Sequence, residues 1–194
     1  MEGPRFVSRG GEKLEAALEA FAVAVEGRVC LDVGASTGGF TDCLLRRGAA
    51  RVYALDVGRG QLAESLRRDP RVVVMERTHA ARLEPDHPQA VNLPERVGLA
   101  VIDVSFIPLR RVLAGVKAQL APGGEIVALA KPQFELPAAQ VPGGVVRSDE
   151  TRLAAVAGVR SAAEELGLLT AGQITSPLTG PAGNREYLLH LVPA

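Results

Sequence analysis

Short apolar segments alternate with amphipathic segments at least five times along the chain. The apolar segments are rich in valine, leucine and isoleucine, and their lengths are those of buried strands. Alternation of this kind is typical of βαβ units, in which parallel strands form one sheet and helices cover its faces. The expected strands lie within residues 28–36, 51–58, 71–77, 97–106 and 125–134.

The amphipathic segments predict helices that connect these strands. They lie within residues 12–21, 38–48, 61–70, 109–124 and 149–167. Ser148 or Asp149 is the expected N-terminal cap of the last helix. Two polar segments with several prolines, 79–96 and 135–148, are expected to be loops.

The end of the chain, residues 168–192, is expected to form two strands around a loop rich in glycine and proline. No helix separates these strands, so one of them is expected to run antiparallel to the rest of the sheet. The whole pattern predicts a Rossmann-like α/β fold. Its sheet would have seven strands, mostly parallel with one antiparallel strand, and helices on both faces.

Length and charge limit the range of functions. The 194 residues are expected to form one domain, residues 1–194, with a formal net charge of zero. Binding of a polyanion would therefore need local basic clusters or a partner domain. Cys30 and Cys43 are not spaced as metal ligands, and no metal is expected. The chain has no signal peptide core and no uncharged apolar run of the ~18–20 residues that cross a membrane. We therefore expect a cytoplasmic protein without membrane association.

The sequence LDVGASTGGF, residues 31–40, places small side chains where the first strand meets a helix. Gly34 permits a sharp turn and a close approach by a ligand. Gly38 and Gly39 begin a helix whose free N–H groups can bind an anionic group. Asp56 ends the second strand and can accept hydrogen bonds from both hydroxyls of a ribose. A tight turn selected only for packing is the alternative interpretation.

The turn differs from the dinucleotide-binding pattern G-x-G-x-x-G. Ser36 stands where the second glycine of that pattern would be, so the turn that admits a pyrophosphate is incomplete. A ligand with a ribose and a small carboxylate but no pyrophosphate fits better. S-adenosylmethionine is such a ligand, with its carboxylate expected at the glycine turn and its ribose at Asp56.

Lysine is rare in this chain, which has 19 arginines and three lysines. Lysine can lose its proton when its surroundings lower its pKa, whereas arginine cannot. Lys131 lies at the carboxyl end of the fifth strand and Lys13 lies in the first helix, while Lys117 is expected to be an ordinary surface residue. Asp103 ends an otherwise apolar strand and needs a partner, which we expect to be Lys131. Glu186 begins the last strand and could reach the same cleft.

These segments resemble the TlyA (hemolysin A) family of ribosomal RNA 2′-O-ribose methyltransferases, within the FtsJ-like group. The resemblance covers nearly the whole chain. Its motifs include VSRGGEKLEAAL, LDVGASTGGFTDCLLRRGA, VIDVSFIPL, ALAKPQFE and SPLTGPAGNREYLLHL. It implies the class I S-adenosylmethionine-dependent methyltransferase fold, that cofactor, and methyl transfer to a ribose 2′-hydroxyl of ribosomal RNA, specifically a cytidine.

The group uses a Lys-Asp-Lys-Glu set of catalytic residues, which the motifs place at Lys13, Asp103, Lys131 and Glu186. Lys131 would orient the hydroxyl and help to remove its proton, either as a neutral amine or by stabilising the developing alkoxide. Asp103 would hold Lys131 and the methyl-donor end of the cofactor. Lys13 and Glu186 would position the ribose. The residues expected to bind the cofactor are Asp32, Gly34, Ala35, Ser36, Thr37, Gly38, Gly39, Phe40, Asp56, Val57, Arg77, Thr78 and Asp103.

Members of the family commonly carry an S4-type RNA-binding domain before the SRGG motif. Seven residues precede Ser8 here, so we expect a methyltransferase domain without it. Arg9 and Arg147 flank the expected cleft and are the expected RNA contacts, with ribosomal RNA or ribosomal subunits as the partner. His79 stands where the family often has asparagine. The sequence does not indicate the oligomeric state.

Two alternative functions remain open. One is a methyltransferase that acts on a small molecule or a protein. The other is a non-catalytic RNA-binding or membrane-lytic protein. Lysis is disfavoured because the sequence contains no spanning segment and no isolated basic amphipathic helix.

Overall fold

The computed structural model describes residues 4–194, so residues 1–3 of the expected domain lie outside the described residues. The strands are β1 Val29–Val33, β2 Arg51–Leu55, β3 Val72–Met75, β4 Val97–Ile102, β5 Leu120–Ala130, β6 Leu168–Thr175 and β7 Tyr187–Pro193. The α-helices are α1 Gly10–Ala20, α2 Gly39–Arg46, α3 Glu64–Arg67, α4 Leu113–Gln119, α5 Pro132–Glu135 and α6 Asp149–Glu165. Short 3₁₀ helices lie at Ala80–Leu83, Leu109–Arg111, Ala138–Gln140 and Pro142–Gly144.

All seven strands form one sheet with the order β3-β2-β1-β4-β5-β7-β6. Strands β1 to β5 pair in parallel, and β7 pairs antiparallel with both β5 and β6. The predicted sheet is therefore confirmed, with β7 as its one antiparallel strand. Strand order reverses direction at β1 and β4, and this is the place where open α/β sheets bind their ligands.

Helices cover both faces of the sheet, because alternate residues of each central strand point to opposite sides. On β1, Cys30 belongs to an apolar cluster with α1 and α2, which includes Leu14 and Leu44. The next residue, Leu31, belongs to the cluster of α4 and α6, which includes Leu113. These leucines are fully buried. Burial of each stabilises the fold by about 1.5–3 kcal/mol relative to an exposed side chain.

Two predicted element boundaries are wrong. The helix expected to continue to residue 124 ends at Gln119, and β5 begins at Leu120 because this residue pairs with Val97 of β4. The segment expected to finish the fifth strand turns at Lys131 into the short helix α5 instead. Pro132 occupies the first turn of that helix, where its missing N–H leaves no helical hydrogen bond unmade.

The hydrogen bonds at the start of α6 agree with the sequence. Of the two expected caps, Ser148 is the one used, and its hydroxyl accepts a hydrogen bond from the Thr151 N–H at 3.3 Å. Within residues 4–194, no helix has both the length and the apolar character of a membrane-spanning segment.

Candidate active site

Two cavities open at the carboxyl ends of the parallel strands. The first has a volume of about 340 Å³ and lies beyond β1, β2 and β4. The second has a volume of about 300 Å³ and lies between the glycine turn, the start of α1 and the segment before β7. Four residues line both cavities, namely Gly34, Ser36, Asp103 and Ser105. The two cavities therefore meet at the end of β4.

The glycine turn is shaped largely by contacts within the protein. Gly34 has a φ of 90°, and a Cβ at this position would overlap the carbonyl oxygen of Asp103. A Cβ at Gly38 would overlap the side chain of Leu66, and one at Gly39 would overlap the Ser8 hydroxyl. The packing interpretation of these glycines is therefore correct for part of the turn. Gly34 and Gly39 also line the second cavity, so the ligand contact expected there stays a prediction.

Asp56 is held in place by backbone groups. One carboxylate oxygen accepts the Ser36 N–H at 2.8 Å, and the other accepts the Gly58 N–H at 2.7 Å. A carboxylate can accept about four hydrogen bonds, so each oxygen keeps a free lone pair. Asp56 and its neighbour Val57 line the first cavity together with Thr78. The first cavity therefore contains a carboxylate that is fixed in place and can accept further hydrogen bonds.

Asp32 lies in a different environment from the one expected of a cofactor contact. Its side chain is fully buried and lines neither cavity. One oxygen accepts the Thr41 hydroxyl at 2.6 Å, and the other has no hydrogen-bond partner among the described residues. Burial raises the pKa of this carboxyl to about 7, although the hydrogen bond from Thr41 acts in the opposite direction.

The expected partnership of Asp103 and Lys131 is present. The Lys131 ammonium lies 2.6 Å from the Asp103 carboxylate, and the lysine is only 9 % exposed. Its nitrogen also donates to the Ser105 hydroxyl at 3.0 Å and lies 5.9 Å from the centre of the Phe134 ring. β4 and β5 are adjacent and parallel, so the residues that follow them reach the same edge of the sheet.

A second ion pair joins the two ends of the chain. The Lys13 ammonium of α1 donates to the Glu186 carboxylate at 2.6 Å, and both side chains are largely buried. Both residues line the second cavity, as do Asp103 and Lys131. The structure therefore brings all four residues of the predicted catalytic set to one cavity as two ion pairs.

The segment 141–148 is attached to the last turn before β7 by Asn184. This side chain is 3 % exposed. Its oxygen accepts the Val146 N–H at 2.9 Å, and its nitrogen donates to the Gly144 carbonyl at 2.8 Å. Arg147 follows this attachment, is exposed, and lines neither cavity.

The remaining predicted site residues divide into two groups. Those that line the second cavity are Arg9, Ala35, Thr37 and Phe40. Gly38 and Arg77 line neither cavity. Arg77 is exposed, with its backbone in the left-handed region at a φ of 54°.

Several lining residues were missed by the sequence interpretation. Ser105, Phe106 and Ile107 follow β4 and line the first cavity, and Thr179 and Pro181 line the second. The Phe106 ring is 90 % exposed and packs against Phe134 with 5.0 Å between ring centres. The available signal was the sequence VIDVSF, in which a serine and an exposed aromatic follow the buried strand directly.

No group of three or more His, Cys, Asp or Glu side chains among residues 4–194 is arranged to hold a metal ion. The cavities are lined instead by two ion pairs, one partly exposed carboxylate and backbone N–H groups. Such a site can orient a hydroxyl and stabilise charge.

Comparisons with known proteins agree with this geometry. Residues 6–192 match the family described as FtsJ-like methyltransferase. The 16S/23S rRNA (cytidine-2′-O)-methyltransferase TlyA of Mycobacterium tuberculosis is 54% identical over 187 residues, which are 96% of this chain and 68% of that protein. A hemolysin-like protein from Streptococcus thermophilus has a solved structure with a TM-score of 0.91 and 43% identity, covering 100% of this chain and 69% of its own.

The fold is shared more widely than the sequence. The N-methyltransferase NodS from Bradyrhizobium japonicum is 16% identical, with a TM-score of 0.63 over 96% of this chain and 98% of that one. This likeness shows the class of fold, whereas the family match and the TlyA identity show close kinship. The chain belongs to the FtsJ-like methyltransferase family.

Proposed function

We propose that this protein transfers a methyl group from S-adenosylmethionine to the 2′-hydroxyl of a cytidine ribose in ribosomal RNA. The observation that carries the proposal is the pair of ion pairs, Lys13–Glu186 and Asp103–Lys131, on the wall of one cavity. The M. tuberculosis relative is named for this reaction on 16S and 23S rRNA. The methyltransferase family of this chain agrees with the sequence prediction of an enzyme that uses S-adenosylmethionine.

The first cavity fits the adenosine part of the cofactor. Asp56 has a free lone pair on each oxygen, and these can accept the two hydroxyls of a ribose. The cofactor's carboxylate would then lie toward the glycine turn, whose residues 34–37 line the second cavity. Bound S-adenosylmethionine supplies an electrophilic methyl group on a positively charged sulfur. Asp32, one of whose buried oxygens has no hydrogen-bond partner within residues 4–194, contributes negative charge beneath this turn when it is ionised.

Lys131 is the residue proposed to act on the ribose hydroxyl. A hydroxyl is a weak nucleophile, so it must be oriented and its proton removed as the new O–CH₃ bond forms. Lys131 can accept that proton as a neutral amine, or as an ammonium can stabilise the developing negative charge. Asp103 fixes Lys131 at 2.6 Å and lies where the two cavities meet. Most of the remaining acceleration would come from in-line positioning.

Lys13 and Glu186 are proposed to position the ribose. Glu186 is almost fully buried, and its charge is neutralised by Lys13. The pair therefore presents a rigid polar wall rather than two mobile charges, because separating buried charges is costly. We propose that neither pair needs a metal ion to do this.

RNA binding is proposed to use the rim of the second cavity. Arg9 lines this cavity, and Arg147 lies on the exposed segment that Asn184 holds. Phe106 presents an exposed ring beside the first cavity, and aromatic rings stack on unpaired bases. A zero net charge provides no general attraction to RNA, so these local contacts must supply it. We further propose that the chain acts as one methyltransferase unit in the cytoplasm.

The test is transfer of labelled methyl groups from S-adenosylmethionine to unmodified ribosomal subunits and to naked ribosomal RNA. Nuclease digestion and chromatography would identify the labelled nucleoside. We expect 2′-O-methylcytidine, and a fall of about 10²–10⁴-fold in the Lys131→Ala variant. Lys117→Ala is the control, because Lys117 lies outside both cavities.

Two results would contradict the proposal. Label on a base or on ribosomal protein would identify a methyltransferase with a different substrate. Absence of transfer to any RNA, with retained binding of S-adenosylmethionine in a calorimetric titration, would favour the non-catalytic alternative.

A further inference from the structure

Ser105 lines the site but is not one of the four Lys-Asp-Lys-Glu residues, and the motif VIDVSF by itself gives it no role. We infer that Ser105 is a positioning residue, which fixes the Lys131 ammonium so that one of its N–H groups faces the ribose hydroxyl. This inference rests on the proposed function for its role in methyl transfer. The contact that carries it is the 3.0 Å hydrogen bond from the Lys131 nitrogen to the Ser105 hydroxyl.

The Lys131 ammonium has more donors than the protein uses. An ammonium has three N–H donors and no acceptor. Among residues 4–194 the Ser105 hydroxyl, at 3.0 Å, is its hydrogen-bond acceptor, whereas the Asp103 carboxylate lies 2.6 Å away as an ion pair without hydrogen-bond geometry. The ion pair holds the ammonium near Asp103 but is not directional, so the hydrogen bond to Ser105 is the contact that sets the rotation of the ammonium. The other N–H groups are left for the substrate.

Ser105 lies where the two cavities meet. It is one of the four residues that line both cavities, so it stands where the methyl group must cross from donor to acceptor. Lys131 lines only the second cavity. The hydrogen bond therefore holds the lysine toward the junction of the two cavities. A lysine that swung away would lose its alignment with the reacting hydroxyl, and such alignment is a large part of catalysis.

The backbone beside Ser105 has an uncommon conformation. Phe106, the next residue, has a φ of 66°, which lies in the left-handed region that residues other than glycine rarely adopt. Conformations of this kind persist where the surrounding structure enforces them, and they concentrate at functional sites. Here the turn directs the Ser105 hydroxyl toward Lys131 while the Phe106 ring remains exposed and packs on Phe134.

The chemistry also favours a serine over an acidic residue at this position. A hydroxyl is neutral, so it orients the ammonium without adding a second negative charge beside Asp103. A second carboxylate would compete with the substrate for the lysine's remaining charge. The serine thus separates two tasks, with Asp103 balancing the charge of Lys131 and Ser105 setting its direction.

The test compares Ser105→Ala with Ser105→Thr, which keeps the hydroxyl. We expect Ser105→Ala to lower kcat about tenfold, because a hydrogen bond to a charged group is lost at the reacting centre. The KM for RNA and the affinity for S-adenosylhomocysteine should stay within about twofold, because uniform binding is unchanged. Ser105→Thr should recover most of the rate. Ser161→Ala, an exposed serine of α6, is the matched control.

A second measurement needs no RNA. The chain has only three lysines, so NMR of lysine labelled with ¹³C and ¹⁵N gives a spectrum that Lys13→Ala, Lys117→Ala and Lys131→Ala assign completely. Hydrogen-bonded ammonium protons exchange slowly with water. We expect the Lys131 signal to broaden in Ser105→Ala and to return in Ser105→Thr, with the Lys13 and Lys117 signals unchanged.

The outcomes separate this inference from the proposed function. If the unmodified protein methylates no RNA, the proposed function fails, and the Lys131 signal alone decides whether Ser105 positions the lysine. An unchanged Lys131 signal in Ser105→Ala overturns the inference. So does a kcat equal to that of the unmodified protein, or an equal loss of kcat in the alanine and threonine variants.

Discussion

Replacement of Asp32 by asparagine should change how the stability of the protein depends on pH. Asp32 is fully buried at the end of β1, with one oxygen bonded to Thr41 and the other without a partner among residues 4–194. Burial raises its pKa from the ordinary value of 3.8 to about 7. Asparagine has nearly the same shape, keeps an oxygen for the Thr41 hydroxyl, and carries no titrating proton.

The sign and size follow from proton linkage. Between pH 3.8 and about pH 7 the folded protein keeps the proton on Asp32 and the unfolded chain has released it. In this window the unfolding free energy falls as pH rises, by about 1.4 kcal/mol per pH unit from this one group. The total loss is about 4 kcal/mol. Above pH 7 both states are ionised and the contribution becomes constant.

The assay is urea unfolding of both proteins at 25 °C from pH 4 to pH 8.5. The difference between the two unfolding free energies cancels the titration of all other groups, provided that the variant folds in the same way. We expect Asp32→Asn to gain about 4 kcal/mol relative to the unmodified protein between pH 4 and pH 8, mostly below pH 7. Thr41→Val removes the hydrogen bond that favours the ionised form, so its pH window should extend to higher pH.

A constant difference between pH 5 and pH 8 would refute this reasoning. It would mean that Asp32 is ionised in the folded protein throughout that range, and that its second oxygen has found a donor.

Two further predictions concern residues away from the reacting atoms. Asn184→Ala should destabilise the protein by about 1–3 kcal/mol, because the buried Val146 N–H loses its acceptor and the Gly144 carbonyl loses its donor. The variant should also transfer methyl groups more slowly, because segment 141–148 is less firmly attached. Urea unfolding and the methyl-transfer assay test this prediction, and unchanged stability and rate would contradict it. Burial raises the pKa of both Cys30 and Cys43 to about 12, so a disulfide reagent at pH 8 should label neither thiol until the protein unfolds. Rapid labelling of the folded protein would show that one of them is accessible.

The sequence predicted the parts of the site that depend on strand direction. Parallel strands end at one edge of the sheet, so Asp56, Asp103 and Lys131 had to lie at that edge once the strands were recognised. The contact between Asp103 and Lys131 followed from the cost of an unpaired carboxylate. The ion pair of Lys13 with Glu186 joins residues 173 positions apart; the residue pattern named both as candidates and the family resemblance implied a shared role, but neither predicted that they pair.

The parts that were missed depend on side-chain packing and on turn geometry. Asp32 was expected at the cofactor because it precedes the glycine turn, but the alternation of β1 directs its side chain into the protein. The contact of Ser105 with Lys131 was not predicted, because it depends on the turn after β4 that brings the serine hydroxyl to the lysine. The left-handed backbone of Phe106 gives no sequence signal, because residues other than glycine adopt that conformation only where tertiary contacts enforce it.

Gly34 shows why the folding and the catalytic requirements of this turn cannot be separated. Its missing side chain makes room for the Asp103 carbonyl, and the Asp103 N–H in turn donates to the carbonyl of Val33 at 2.9 Å. Any larger residue would push the end of β4 away from β1. Asp103 and Ser105 would move with it, and both contact Lys131. The same glycine that packs two strands thus sets the position of the lysine proposed to act on the ribose.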